Sequence, residues 1–301
     1  MEETVAEINV TPGKPKKEKK AFRMLKKHPV LAVLLLTIQA FLLVSVLFGL
    51  AVQTPLTFIL QAAMGDDGIL LAIQLAPCVA ILGALLLLLI HWLRLRPEFR
   101  GNIAGGSLPA GFLALGVAVV YLIAISIPSL IEGEMGLPSL QNLGVSLTAG
   151  ISEEVMFRAV PLSFAMRSRR RGNVILWSVL LSSLLFGVAH GGNIFAGADP
   201  LQTLIQVVNT LFIGVILGAV YLRCGNILFP MAIHFLNDVV ALCQTSVSDT
   251  GVLTQEVEWP ILIGTAISAA FAVFGLWLLR PTSREKICTL WDRKWNVTEE
   301  L

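Results

Sequence analysis

The chain has 301 residues, 55% of them hydrophobic and 14% charged, with a formal net charge of +2 and a mean hydropathy of +0.79. A water-soluble domain of this length is far more polar, so the composition excludes an ordinary soluble enzyme and points to a chain that crosses a membrane several times. The four cysteines, Cys78, Cys224, Cys243 and Cys288, show no C-x-x-C pairing, which argues against a disulfide framework or a thiolate metal site.

Residues 1–29 form a basic tail with Lys14, Lys16, Lys17, Lys19 and Lys20. It reads as a topological anchor against anionic headgroups, and no nucleic-acid partner is expected. The membrane domain is expected over 30–280 as an all-α, polytopic transmembrane bundle of about eight helices, each near the roughly 20 residues a bilayer requires. Its spans are read as 30–52, 69–93, 107–130, 143–165, 173–190, 201–222, 226–244 and 258–280. The stretch TPLTFILQAAMG at 54–65 is too short to span and reads as an interfacial extension. Residues 281–301 are expected to form a C-terminal tail.

Charge between the spans follows a pattern. Cations occur in the N-terminal tail, then at Arg94, Arg96 and Arg100, at Arg167, Arg169, Arg170 and Arg171, at Arg223, and again after Leu279. The intervening loops 53–68, 131–142, 191–200 and 245–257 contain none. This alternation is the positive-inside rule, and it predicts both termini in the cytoplasm. The compact loops and a first apolar run too long for a signal peptide point to a prokaryotic plasma membrane. Of the 22 Lys and Arg residues, only Arg158 does not fit the alternation.

Arg158 lies in ISEEVMFRAVPL, beside Glu153 and Glu154. A charged residue near the centre of a spanning helix costs about 2.5–3.5 kcal/mol, so three of them facing lipid would cost roughly 8–10 kcal/mol. They must therefore face a bundle interior or a wet cavity. Glu154 and Arg158 are four apart on one helix face and can pair. Glu153 is turned by about 100° from Glu154, which leaves its carboxylate freer to point elsewhere. Later spans carry Phe186 with His190 and His234 with Asp238, each pair again four apart. Gln202, Gln206 and Asn209 line one face of the next helix, with Gly214 and Gly218 as a small-residue packing site; interhelical hydrogen bonding is the simpler role for these polar residues. Any one of these residues could be structural, but their convergence on three spans points to chemistry. A carboxylate and an imidazole in a desolvated site can activate water, and a second histidine can donate to an oxyanion. No serine or cysteine stands out as a nucleophile.

The motifs E-E-x-x-x-R (Glu153, Glu154, Arg158), F-x-x-x-H (Phe186, His190) and H-x-x-x-D (His234, Asp238), in that order, resemble those of the CAAX-processing and bacteriocin-processing family (CPBP, or Abi), which includes the type II CAAX prenyl endopeptidases. The resemblance covers a CPBP-like core at about 143–244. It implies an eight-helix intramembrane endopeptidase of the glutamate type, without a metal cofactor. Glu153 would activate the water with His190 as proton partner, and His234 and Asp238 would stabilise the oxyanion. Glu154 and Arg158 would hold the site. The family often has asparagine at the position of Asp238. An ionised aspartate cannot donate to an oxyanion, so Asp238 is either protonated or orients His234, with Asn237 as a neighbouring donor. The aspartate also keeps zinc open as an alternative, on Glu153, His190, His234 and Asp238.

The partners implied are a peptide or lipidated-protein substrate and the bilayer itself. Substrate identity, oligomeric state and the side on which the cavity opens stay open. Two other classes remain beside the protease: an ion- or proton-coupled transporter, since intramembrane acids and histidines also mark ion paths, and a non-catalytic membrane partner of the bacteriocin-immunity type.

Overall fold

Backbone N–H and C=O groups in lipid find partners only within the protein, so the apolar runs of this chain fold as helices. The computed structural model describes residues 20–51, 55–65, 78–84, 107–167, 174–244 and 259–294, and no strand occurs among them. The helices are α1 (Lys20–Lys27), α2 (Pro29–Ala51), α3 (Pro55–Met64), α4 (Ser107–Glu132), α5 (Leu140–Glu154), α6 (Pro161–Ala165), α7 (Val174–His190), α8 (Pro200–Cys224), α9 (Leu228–Gln244), α10 (Trp259–Leu278) and α11 (Pro281–Lys294).

Among the described residues, four stretches are long and apolar enough to cross a bilayer: Leu108–Glu132, Val174–Phe195, Pro200–Cys224 and Ile261–Leu278. Two shorter apolar helices, Pro29–Val44 and Leu228–Gln244, accompany them. The protein is an all-α polytopic membrane bundle. The described residues do not fix the number of spans at eight, because 69–93 lies outside them except for a helical piece at 78–84. The predicted span 143–165 is helical but interrupted.

Helix α8 is central. It packs against α7, α10, α4 and α9, and every residue from Ile213 to Leu222 is buried. Glycines let its neighbours approach. A Cβ at Gly187 would sit 2.9 Å from the Val207 carbonyl oxygen, and one at Gly218 would meet Val179 at 3.3 Å. The small-residue packing site expected at Gly214 and Gly218 is thus the α7–α8 contact.

The C-terminal segment carries a further helix. Over Pro281–Lys294 it is helical, and Ile287, Leu290 and Trp291 lie on one apolar face and are buried. The Trp291 indole N–H donates to the Leu222 carbonyl at 3.0 Å, which ties α11 to the end of α8.

Helices α5 and α9 meet at Gly150. A Cβ there would stand 3.1 Å from the Phe235 nitrogen and 3.3 Å from the Met231 oxygen, both backbone atoms that cannot swing aside. This approach sets His234 against Glu154, one turn along from Gly150. Gly150→Val is expected to separate the helices and to lower thermal stability by about 1–3 kcal/mol, the usual cost of overpacking. Thermal unfolding of the purified variant checks this; an unchanged melting temperature would contradict it.

Candidate active site

The break in the 143–165 segment follows from one residue. In an α-helix the N–H of residue 161 would bond to the carbonyl of Phe157, but Pro161 has no N–H and its ring crowds that carbonyl. The chain responds with a π-turn over Val155–Ala159, closed by a bond from the Val160 N–H to the Val155 oxygen at 3.3 Å. The Phe157 carbonyl accepts instead from Ser182 Oγ on α7, at 2.6 Å. Such π-turns cluster at functional sites, and this one begins directly after the two glutamates.

The two glutamates are engaged differently. Glu154 and Arg158 are fully buried, and Arg158 Nη1 donates to Glu154 Oε1 at 2.8 Å. The same oxygen lies 2.9 Å from His234 Nδ1. The guanidinium stacks on the Phe186 ring, with Cζ 4.1 Å from the centroid. Gly214 leaves room for it, since a Cβ there would come within 3.2 Å of Nη2. Glu153 makes no hydrogen bond among the described residues. Its Oε2 is 3.6 Å from His234 Nε2, and its side chain keeps 24% of its exposure. The sequence expectation that Glu154 pairs with Arg158 while Glu153 stays free describes this geometry.

His234 is enclosed by carboxylates. Nδ1 faces Glu154, and Nε2 faces both Glu153 and Asp238, the latter with Oδ2 at 3.4 Å. Asn237 Nδ2 donates to Asp238 Oδ1 at 3.3 Å, so its amide is turned to the aspartate beside it. Phe186 is the common wall. Its ring lies edge-on to His190, with centroids 5.0 Å apart, and to His234, at 5.5 Å. His190 Nδ1 lies 2.9 Å from the Phe186 carbonyl, where it donates, leaving Nε2 as the ring nitrogen without a hydrogen-bond partner among the described residues. No hydrogen bond or ion pair among the described residues links His190 directly to Glu153.

All eight residues singled out from the sequence therefore lie in one cluster built from α5, the π-turn, α7 and α9. Three carboxylates face two imidazoles and one guanidinium, and the arrangement can accept, hold and return a proton. No group of three or more His, Cys, Asp or Glu among the described residues is arranged to hold a metal ion. Gln206 accepts from Asn193 at 2.9 Å, in keeping with a hydrogen-bonding role for the polar face of α8. Sequence reasoning missed Ser182, whose only signal was the serine pair ahead of Phe186.

Behind the π-turn lies a mostly apolar cavity of about 190 Å³, walled by Leu36, Val44 and Ile81 on one side and by Val155 and Val160 on the other.

Residues 136–240, about a third of the chain, match a family described as Type II CAAX prenyl endopeptidase Rce1-like, and the matched segment contains all three motifs. This is the protease family that the motifs resemble. Comparison with curated proteins and with solved structures gives no match.

Proposed function

We propose that the protein is an intramembrane endopeptidase that hydrolyses a peptide bond of a CAAX-type, lipid-modified substrate, with Glu153 as general base. The observation that carries this reading is the asymmetry of the glutamates: one is paired and buried, while its neighbour is left without a hydrogen bond among the described residues, 3.6 Å from His234. The family match over the same segment supports it.

In this mechanism Glu153 takes a proton from water as the water oxygen attacks the scissile carbonyl carbon. Negative charge moves to the carbonyl oxygen. His234, anchored through Nδ1 on Glu154, donates from Nε2 to that oxyanion. Asp238 holds the imidazole in orientation. Collapse breaks the C–N bond, and the leaving nitrogen receives that proton from Glu153, directly or relayed through His190 Nε2. Arg158 pairs with Glu154 Oε1, the same oxygen that anchors His234. The apolar cavity behind the π-turn supports a substrate carrying a hydrocarbon chain, since such a chain gains about 0.8 kcal/mol for each CH₂ it buries.

Cleavage of an internally quenched CAAX peptide by purified protein in detergent tests the proposal, with farnesylated and unmodified forms compared. The farnesylated form is expected to be the better substrate. His190→Ala is expected to lower kcat by about 10²–10⁴-fold, and a chelator is expected to leave the wild-type rate unchanged. Loss of cleavage on chelation would restore the zinc alternative. Equal cleavage of both peptides would remove the lipid requirement, and no cleavage by folded wild type would favour a non-catalytic partner or an ion pathway.

A further inference from the structure

One polar chain reaches the cluster from outside the segment that matches the protease family. Tyr121 lies on α4, is 5% exposed, and stacks on Phe271 of α10 with centroids 4.4 Å apart and rings 13° from parallel. Its hydroxyl lies 3.2 Å from Asn237 Oδ1 and 2.9 Å from Ser268 Oγ, which also reaches the Gly264 carbonyl at 2.9 Å; when Ser268 donates to the phenol oxygen, the single phenol proton goes to Asn237. An asparagine amide can rotate by half a turn and exchange its donor for its acceptor. With Tyr121 donating to the oxygen, the amide is fixed with Nδ2 toward Asp238 Oδ1. Asp238 is then held with its other oxygen 3.4 Å from His234 Nε2.

We infer that Tyr121 is a positioning residue for this site, acting through Asn237 and Asp238 on His234. The inference rests on the hydrolase reading for its kinetic consequence, but not for its geometry. It gives Asn237 a definite part. Asn237 accepts from Tyr121 through Oδ1 and spends one Nδ2–H on Asp238, so its amide transmits orientation from α4 to the aspartate. The donor on Oδ1 holds the plane of the Asp238 carboxylate so that Oδ2 faces His234 Nε2.

Tyr121→Phe removes the hydroxyl and keeps the ring that stacks on Phe271. Two readouts separate the outcomes: cleavage kinetics on the farnesylated peptide, and ¹⁵N resonances of the imidazoles in histidine-labelled protein. Tyr121→Phe is expected to lower kcat by roughly tenfold, the effect of losing one hydrogen bond's worth of alignment, with KM within about twofold. The His234 ring resonances are expected to shift while those of His28 do not. In the background of Asn237→Leu, which cuts the chain, Tyr121→Phe is expected to have no further effect, because residues acting in series are non-additive. Additive losses, an unchanged kcat, or unmoved His234 resonances would overturn the inference. If wild type cleaves nothing yet His234 still responds to Tyr121→Phe, the hydrolase reading falls and the positioning chain stands. If wild type cleaves and His234 does not respond, the reverse holds.

Discussion

Arg158→Met is expected to be the most destabilising single substitution in the protein. Arg158 and Glu154 are both fully buried, so removing the guanidinium leaves a carboxylate in the bundle interior without its cation. Breaking a buried pair in this way costs about 3–5 kcal/mol. The stack of the guanidinium on Phe186 disappears as well, and with it the support for the wall shared by His190 and His234. The folded yield in detergent and the melting temperature should both fall sharply. Arg158→Lys retains the charge but loses the planar stack, and should fall between. Adding Glu154→Leu to Arg158→Met removes the stranded carboxylate and should recover part of the stability, because the desolvation cost disappears with the charge. It should recover no activity, since His234 then loses its anchor. A Met variant as stable as wild type would show that the pair is not the keystone of this region.

Glu153→Gln should behave in the opposite way. The Glu153 carboxylate accepts no hydrogen bond among the described residues and keeps part of its exposure, so an amide of the same shape should leave the fold intact. Its melting temperature should stay near that of wild type, while cleavage falls by about 10²–10⁴-fold with the loss of the general base. Adjacent glutamates thus divide into one that holds the site and one that acts in it. The paired substitutions Glu153→Gln and Arg158→Met separate these contributions, one showing in rate and the other in stability.

Much of this site is legible in the sequence because helical spacing is a strong constraint. Glu154 with Arg158, Phe186 with His190, and His234 with Asp238 are all four apart, and the price of charge in lipid demands that they face inward. The helices α2, α4, α7, α8 and α10 begin and end within a few residues of the predicted spans for the same reason: apolar runs in lipid have no alternative to the helix.

What periodicity could not supply is the interruption after Glu154. A regular helix was expected through 165, and Pro161 was the available signal. Its consequence, a π-turn completed by a serine from another helix, depends on tertiary contact that no local pattern encodes. The contact of α4 with the site was hidden for a similar reason. Tyr121 sits in an apolar run like any core tyrosine, and only the packing of α4 against α9 and α10 brings its hydroxyl to Asn237. The helical docking of 281–294 was masked by composition, because charged residues outnumber the three apolar ones that face α8.

The central claim is that a water molecule activated by Glu153 attacks the peptide bond directly. The measurement that tests it is a single turnover of the farnesylated peptide in H₂¹⁸O, with protein in excess and the products read by mass spectrometry, wild type beside Glu153→Gln. The account predicts one ¹⁸O in the new carboxyl terminus released by wild type, and almost no product from a well-folded Gln variant. An unlabelled carboxylate, which would mean that a protein oxygen had been transferred through a covalent intermediate, or undiminished cleavage by the Gln variant, would contradict it.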